Sequence, residues 1–178
     1  LSEALRPAAF LDRDGVINVD HGYTYKPEDL VFIDGAPDAI RRLNEAGYLV
    51  VVVTNQSGVA RGYYSEADVA RFHEHMLAQL AEAGARIDAV YSCPYHPKGV
   101  VAEYRVDHPD RKPKPGMILR AARELPIDIA RSFLIGDKSS DIAAATAANI
   151  SGHRFAGGDL DDFVAGVLLQ ADAPIRAK

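Results

Sequence analysis

The sequence predicts an α/β fold, a doubly wound and mostly parallel sheet with helices on both sides. Two observations carry this expectation. Short apolar runs alternate with longer amphipathic ones along the chain, and the run Leu49 to Val53 is so uniformly apolar that both faces of that strand must be covered. Strand, helix, strand alternation with right-handed crossovers then gives the doubly wound arrangement. At 178 residues the chain suits a single domain, taken as 1–178, that buries a core without help from a disulfide or a metal.

Taken in order, strands are expected at Ala8 to Leu11, Leu49 to Val53, Ile87 to Tyr91, Phe133 to Ile135 and Ile150 to Phe155. Helices are expected near Pro37 to Ala46, Ser65 to Ala83, Pro115 to Glu124, Ser139 to Ala148 and Leu160 to Leu169. Gly47 and Gly84 follow the first two helices as left-handed C-terminal glycines do, and Ser65 with Asp68 forms an N-terminal cap for the second. In the last helix Leu160, Phe163, Val164, Val167 and Leu168 share one face and read as core. The stretches Gly15 to Gly35 and Pro94 to Pro115 are long and irregular, and loops of that kind usually serve function.

Twenty-five acidic against 20 basic residues leave a net charge of −5, and with 48% hydrophobic residues this is a globular composition, not a collagen-like, disordered or membrane-spanning one. Net acidity argues against a nucleic-acid partner, whose phosphates are held by clustered Lys and Arg. The one basic cluster, Arg111, Lys112 and Lys114, reads on its own as a solvated turn. A single cysteine and a start without basic and apolar signal regions point to a reducing cytoplasm, and Leu1 in place of Met suggests that the native start lies upstream. His73 and His75, two residues apart on a helix, face different ways and share no metal, and His153 reads as a strand-end residue.

Sheets of this type bind ligands beyond the carboxyl ends of their strands, so the polar residues that follow apolar runs are the candidates for chemistry. Phe10-Leu11 leads into Asp12-Arg13-Asp14-Gly15. The valines Val50 to Val53 lead into Thr54-Asn55-Gln56-Ser57-Gly58, and Phe133 to Ile135 leads into Gly136-Asp137-Lys138-Ser139-Ser140-Asp141. Carboxylates brought together repel, and a hard divalent cation such as Mg²⁺ resolves the conflict. Such a site suits phosphoryl transfer, in which a carboxylate can act as nucleophile and form an acyl phosphate.

These residues resemble the four motifs of the haloacid dehalogenase superfamily of phosphatases: Asp12-x-Asp14-Gly15-Val16, Thr54-Asn55, Lys112 in Arg-Lys-Pro-Lys-Pro-Gly, and Gly136-Asp137-Lys138 with Asp141. Longer strings, Ile17 to Tyr23, Phe32 to Gly35 and Asn55 to Gly62, are similar to the D-glycero-D-manno-heptose 1,7-bisphosphate phosphatases, relatives of the histidinol-phosphate phosphatases. The resemblance implies a Rossmann-like, capless single domain that removes the C7 phosphate of a heptose bisphosphate, a step of heptose and lipopolysaccharide-precursor biosynthesis. It implies Asp12 as nucleophile and Asp14 as general acid and base. Mg²⁺ is then held by Asp12, Asp137 and the Asp14 carbonyl, with Asp141 just outside its ligands. Thr54 and Lys112 hold the transferring phosphoryl, and Asn55, Gln56 and Ser57 line its cradle. Arg111 recognises the rest of the substrate, Asp20, His21, Gly22 and Tyr23 read the sugar, and Lys138 contacts substrate or nucleophile. The expected partner is a small sugar phosphate, with no nucleic acid, no membrane and a monomeric chain.

The pattern departs from the family at its structural zinc, which a Cys-x-His pair and a later Cys-x-Cys pair commonly bind. The matching positions here are Cys93, Tyr95, His108 and Asp110, so three of the four ligands differ. A degenerate site built from Cys93, His96, His108 and Asp110 is conceivable, but the expectation is a metal-free loop pinned by prolines and histidine hydrogen bonds. Alternatives to the heptose reading are a histidinol-phosphate phosphatase, a polynucleotide 3′-phosphatase, a phosphatase-dead binding protein and, in a different class, a receiver-like phosphoryl-accepting signalling domain. Receivers lack a second acid two residues after the acceptor.

Overall fold

The computed structural model describes residues 3–172, so Leu1 and both ends of the 1–178 domain assignment lie outside the described residues. Five strands form one parallel sheet: β1 (Ala8–Leu11), β2 (Leu49–Asn55), β3 (Ala89–Cys93), β4 (Phe133–Gly136) and β5 (Ser151–Arg154). Their order across the sheet is β3-β2-β1-β4-β5. The helices between and after them are α1 (Ala36–Glu45), α2 (Glu66–Glu82), α3 (Gly116–Glu124), α4 (Ser139–Ala147) and α5 (Leu160–Asp172). The chain winds outward from β1 to β3, returns to place β4 on the other side of β1, and winds outward again to β5. The direction of winding therefore reverses between β1 and β4, and a cleft opens there at the strands' carboxyl ends.

Alternation of side chains along the strands divides the core into two layers. Ala9, Leu11, Val50, Val52 and Ile135 face α1, α2 and α5. Phe10, Val51, Val53 and Leu134 face α3 and α4. This double covering is what the uniform valine run required. The apolar stripe on α5 also holds its expected place: Leu160, Val164 and Val167 are buried, and Phe163 and Leu168 pack against the same core. Ser65 and Asp68 form the reciprocal cap of α2, and Gly47 and Gly84 take left-handed conformations just past α1 and α2.

The third strand begins two residues later than its apolar run suggests. The Asp88 side chain accepts a hydrogen bond from the Val50 amide at 2.8 Å while the Asp88 amide donates to the Val50 carbonyl, also at 2.8 Å, so a side chain takes one rung and the backbone ladder starts at Ala89. The second strand runs on through Thr54 and Asn55, which pair with Ser92 and Cys93. That extension carries the polar Thr54-Asn55 step to the sheet's edge on a rigid element. The two long irregular stretches contain short 3-10 turns, Pro27–Asp29 and Ala102–Tyr104, and an isolated bridge pairs Asn18 with Phe32 in the first.

Leu160→Ala removes a fully buried side chain from the first turn of α5 and is expected to destabilise the fold by about 2–5 kcal/mol in urea denaturation, whereas Leu169→Ala, at 75% exposure on the same helix, should change stability by no more than about 0.5 kcal/mol.

Candidate active site

The loop after β1 turns sharply at the β1–β4 edge. The Asp12 amide donates to the Ile135 carbonyl at 3.0 Å, which ties the loop's start to β4, and the Arg13 carbonyl accepts from the amides of Val16, Ile17 and Asn18. Gly15 sits at φ +85°, and a Cβ there would run into the Asp137 carboxylate. The glycine serves both purposes: it permits the left-handed turn and lets the carboxylate at the end of β4 approach the backbone after β1.

Lys112 reaches this point from the far loop, its segment held by Asn55. The Asn55 amide nitrogen donates to the Lys112 carbonyl at 3.0 Å, and its oxygen accepts the Lys112 amide at 3.1 Å. The buried ammonium then spends its three donors on Asp12 Oδ1 at 2.9 Å, Asp141 Oδ1 at 2.6 Å and the Val53 carbonyl at 2.8 Å. Burial works against a charged Lys112, but the two carboxylates outweigh it and raise its pKa. Burial is also the main force that lifts Asp12 to about 7; Asp141 adds to the rise and Lys112 opposes it. The basic Arg111-Lys112-Lys114 turn is thus not uniformly solvated: Lys112 is at the centre of the site, and Lys114 pairs with Asp107 at the surface.

Asp12, Asp137 and Asp141 each bring an oxygen within 4.8 Å of the others, the one such group of three among the described residues. Both Asp141 oxygens already have partners, Lys112 and the Lys138 amide at 3.1 Å. Asp137 Oδ1 is buried and accepts no hydrogen bond. Three carboxylates against one ammonium, with a buried oxygen left over, fit a small divalent cation with oxygen ligands, and Mg²⁺ meets that description. The Asp137 carbonyl also accepts from Arg154 at 3.2 Å, which ties the loop after β4 to β5.

Asp14 is held by a second network, most of which the sequence reading had not singled out. Arg13 lies between the two acids and is fully buried; its Nε and Nη2 donate to Asp14 Oδ1 at 3.1 and 2.7 Å, and Asn18 Nδ2 donates to the same oxygen at 3.0 Å. Gln56 Nε2 donates to Asp14 Oδ2 at 3.1 Å and to Thr54 Oγ1 at 2.8 Å, while its own oxygen accepts the Tyr64 hydroxyl at 2.7 Å. The geometry thus gives the Asn55 and Gln56 side chains protein partners. Behind Asp14, the guanidinium stacks 4.3 Å from the Phe72 ring centre and lies 3.1 Å from His73 Nε2, with Nη2 also donating to the Thr24 carbonyl at 2.6 Å. A neutral His73 accepts from Arg13, and burial, aided by the arginine's charge, pushes the imidazole down to about 4. The one sequence signal for His73 is its place on the buried face of α2, beside Phe72 and Met76.

The remaining candidates lie nearer the surface. Asp20, His21, Gly22 and Tyr23 are exposed, and their loop is shaped by Asp20 Oδ1 accepting the Gly22 amide and Thr24 Oγ1 accepting the His21 amide, both at 2.9 Å. Ser57 and Arg111 are half-buried and Lys138 is exposed. The four residues considered for zinc do not gather into a metal-binding group. Cys93 ends β3 in the core. Tyr95 stacks on His108 with ring centres 4.4 Å apart, His108 Nδ1 accepts the Asp110 amide at 3.0 Å, and Asp110 pairs with Arg120 at 3.1 Å. His96 lies instead beside Arg61. Stacking, a hydrogen bond and an ion pair thus engage Tyr95, His108 and Asp110 with one another and with α3. Among the described residues, no helix is long and apolar enough to cross a membrane.

His73 supplies a test of the Asp14 network. It titrates near 6.5 when unfolded and near 4 when folded, so between those values the unfolded chain takes the proton that the fold refuses. This contribution to stability is complete above about pH 6.5 and is lost as pH falls towards 4, by roughly 3 kcal/mol at most. His73→Gln, which keeps an acceptor but does not titrate, should flatten the urea-midpoint profile over that interval relative to the native protein.

Residues 110–159 match a family model described as HAD-hydrolase-like. The D-glycero-β-D-manno-heptose-1,7-bisphosphate 7-phosphatase of Rhodopseudomonas palustris is 54% identical over 165 residues, 93% of this chain and 92% of the relative. The Yersinia pestis protein of the same name is 51% identical over 81% of this chain and 77% of its own length. Among solved structures, the D,D-heptose 1,7-bisphosphate phosphatase of B. bronchiseptica, complexed with magnesium and phosphate, superposes with a TM-score of 0.76 at 32% identity, covering 97% of this chain and 90% of that one. With identity this high over nearly the full length of both chains, the protein belongs to the haloacid dehalogenase-like hydrolases, in the family of the heptose-1,7-bisphosphate 7-phosphatases.

Proposed function

We propose that this chain, as a single phosphatase domain, hydrolyses the C7 phosphate of D-glycero-β-D-manno-heptose 1,7-bisphosphate and leaves the 1-phosphate. Its relatives carry that activity in their names. The observation that supports the chemistry most is the placement of Asp12 at the β1–β4 edge, one oxygen fixed by Lys112, beside an Asp137 whose buried oxygen lacks a partner. Asp12, Asp137 and the Asp14 carbonyl would hold Mg²⁺, which when bound supplies positive charge that keeps Asp12 ionised and offsets the phosphoryl oxygens. Asp141 lies just outside those ligands and orients Lys112. The protein acts in the cytoplasm on a small sugar phosphate.

In the first half-reaction an Asp12 oxygen bonds to phosphorus, the bond from phosphorus to the sugar's C7 oxygen breaks, and a protonated Asp14 gives its proton to that oxygen. Asp12 then carries the phosphoryl group as an acyl phosphate. In the second, Asp14 takes a proton from water, the water oxygen bonds to phosphorus, and Asp12 leaves as a carboxylate with release of inorganic phosphate. The arrangement around Asp14 suits the second half, since four donor contacts from Arg13, Asn18 and Gln56 address it as an ionised acceptor. Thr54 and Lys112 would hold the transferring group, with Ser57 in its cradle. The exposed 20–23 loop, Arg111 and Lys138 would meet the sugar and its second phosphate.

Phosphate release from heptose 1,7-bisphosphate, histidinol phosphate and a 3′-phosphorylated oligonucleotide, run in parallel, tests the substrate. The expected result is a clear preference for the bisphosphate that disappears with EDTA and returns with Mg²⁺, and a loss of at least about 10³-fold in Asp12→Asn. Preference for histidinol phosphate would move the chain to that neighbouring activity, and a stable stoichiometric phosphoprotein without turnover would favour the receiver-like reading.

A further inference from the structure

Tyr64 stands immediately before Ser65, the cap of α2, and its ring is held on several sides. It stacks on Tyr25 with ring centres 4.8 Å and planes 21° apart, packs with Val59 and Val69, and lies so close over Gly58 that a Cβ there would run into it. The phenolic oxygen is therefore fixed in place, and its proton goes to Gln56 Oε1 at 2.7 Å. Burial pushes this phenol up to about 12, so the proton stays on it. Gln56 is buried as well, and its two Nε2 hydrogens go to Asp14 Oδ2 at 3.1 Å and Thr54 Oγ1 at 2.8 Å. The two ends of a carboxamide are nearly alike in shape, so the partners decide which end faces Thr54. Asp14 favours the observed orientation while it is ionised. In the first half-reaction it carries the proton destined for the sugar oxygen, and the Tyr64 hydroxyl is then the group that keeps Oε1 turned away from Thr54.

Thr54 is where this orientation takes effect. Its hydroxyl is buried, accepts from Gln56 and has one hydrogen of its own to give. Among the described residues that hydrogen meets only the Asn55 carbonyl, at a stretched 3.5 Å, which leaves it available to a phosphoryl oxygen. A reversed Gln56 amide would present Oε1 to Thr54 and take the hydrogen for itself. We propose that Tyr64 is a positioning residue for phosphoryl transfer: through Gln56 it aims the Thr54 hydroxyl hydrogen at the transferring phosphoryl group. The effect is carried by the direction of three hydrogen bonds and adds no charge to the site. The inference rests on the phosphatase reading of the site and deepens it.

The test is a double-mutant cycle of Tyr64→Phe with Thr54→Val. It is read as kcat/KM for heptose 1,7-bisphosphate and for p-nitrophenyl phosphate, and as the Ki of orthovanadate, which adopts the five-coordinate geometry of phosphoryl transfer. Tyr64→Phe keeps the ring and removes the hydroxyl, and Ki does not depend on the fraction of enzyme that is folded. The expected result is a loss of about tenfold in kcat/KM for both substrates with a matching rise in vanadate Ki, and no further change when Tyr64→Phe is added to Thr54→Val. Effects that multiply across the cycle would show that the two residues act independently and would overturn the proposal, as would a vanadate Ki that stays within about twofold in Tyr64→Phe. Gln56→Met breaks the same link at its centre and should match Tyr64→Phe; an unchanged vanadate Ki in that variant also overturns the relay. Native turnover of p-nitrophenyl phosphate but not of the bisphosphate would overturn the bisphosphatase reading, and the cycle on p-nitrophenyl phosphate would still decide the relay. A native protein inert toward both substrates overturns both.

Discussion

The buried ammonium of Lys112 between Asp12 and Asp141 is the constraint on which the rest of the structure depends. It joins the end of β1, the end of β2 through the Val53 carbonyl, the first turn of α4 and the loop before α3 at a single atom. Such a group is costly to desolvate, and removing one partner of a buried ion pair typically costs about 3–5 kcal/mol. The three acids nevertheless outnumber the ammonium. The surplus negative charge, the elevated Asp12 and the unsatisfied Asp137 oxygen describe a site organised for an added cation and for the phosphoryl group that such a cation attracts.

Topology makes this gathering possible. Reversal of winding between β1 and β4 leaves a gap at their carboxyl ends, and the two catalytic loops meet across it. Steric detail then matters at Gly15 and Gly136, where a Cβ would press into Asp137 and Asp141 respectively. The glycines thus allow two carboxylates to lie against backbone, an approach that any larger residue would prevent. Asp14 is supported separately by Arg13, Asn18 and Gln56, so the two acids of the Asp-x-Asp pair occupy different electrostatic surroundings although they are neighbours in sequence. Acid and base roles within one site depend on such a separation.

Much of this was legible in the sequence because apolar runs end where polar motifs begin. The valine run fixed a central, doubly covered strand, and the residues following three strands supplied the acids, the amides and the hydroxyl of the site. What was less legible had local causes. Asp88 replaces a backbone rung and delays β3, a side-chain event that hydrophobic periodicity does not register. An arginine between two aspartates gives no sign of burial in the sequence, yet Arg13 is buried, with Phe72 and His73 on α2 packed against it. Lys112 looked solvated as part of a basic triplet, and only the motif resemblance separated it from Lys114. Around Cys93 the residue types alone left a metal site conceivable, and the contacts of Tyr95, His108 and Asp110 give them other partners.

The central claim is that Asp12 is covalently phosphorylated during turnover. Borohydride quenching of the native protein during steady-state hydrolysis, followed by peptide mass spectrometry, reads this directly, because reduction of an aspartyl phosphate converts that residue to homoserine. The account predicts homoserine at position 12 and nowhere else. Homoserine at Asp14, Asp137 or Asp141, or none at any position while phosphate is being released, would contradict it.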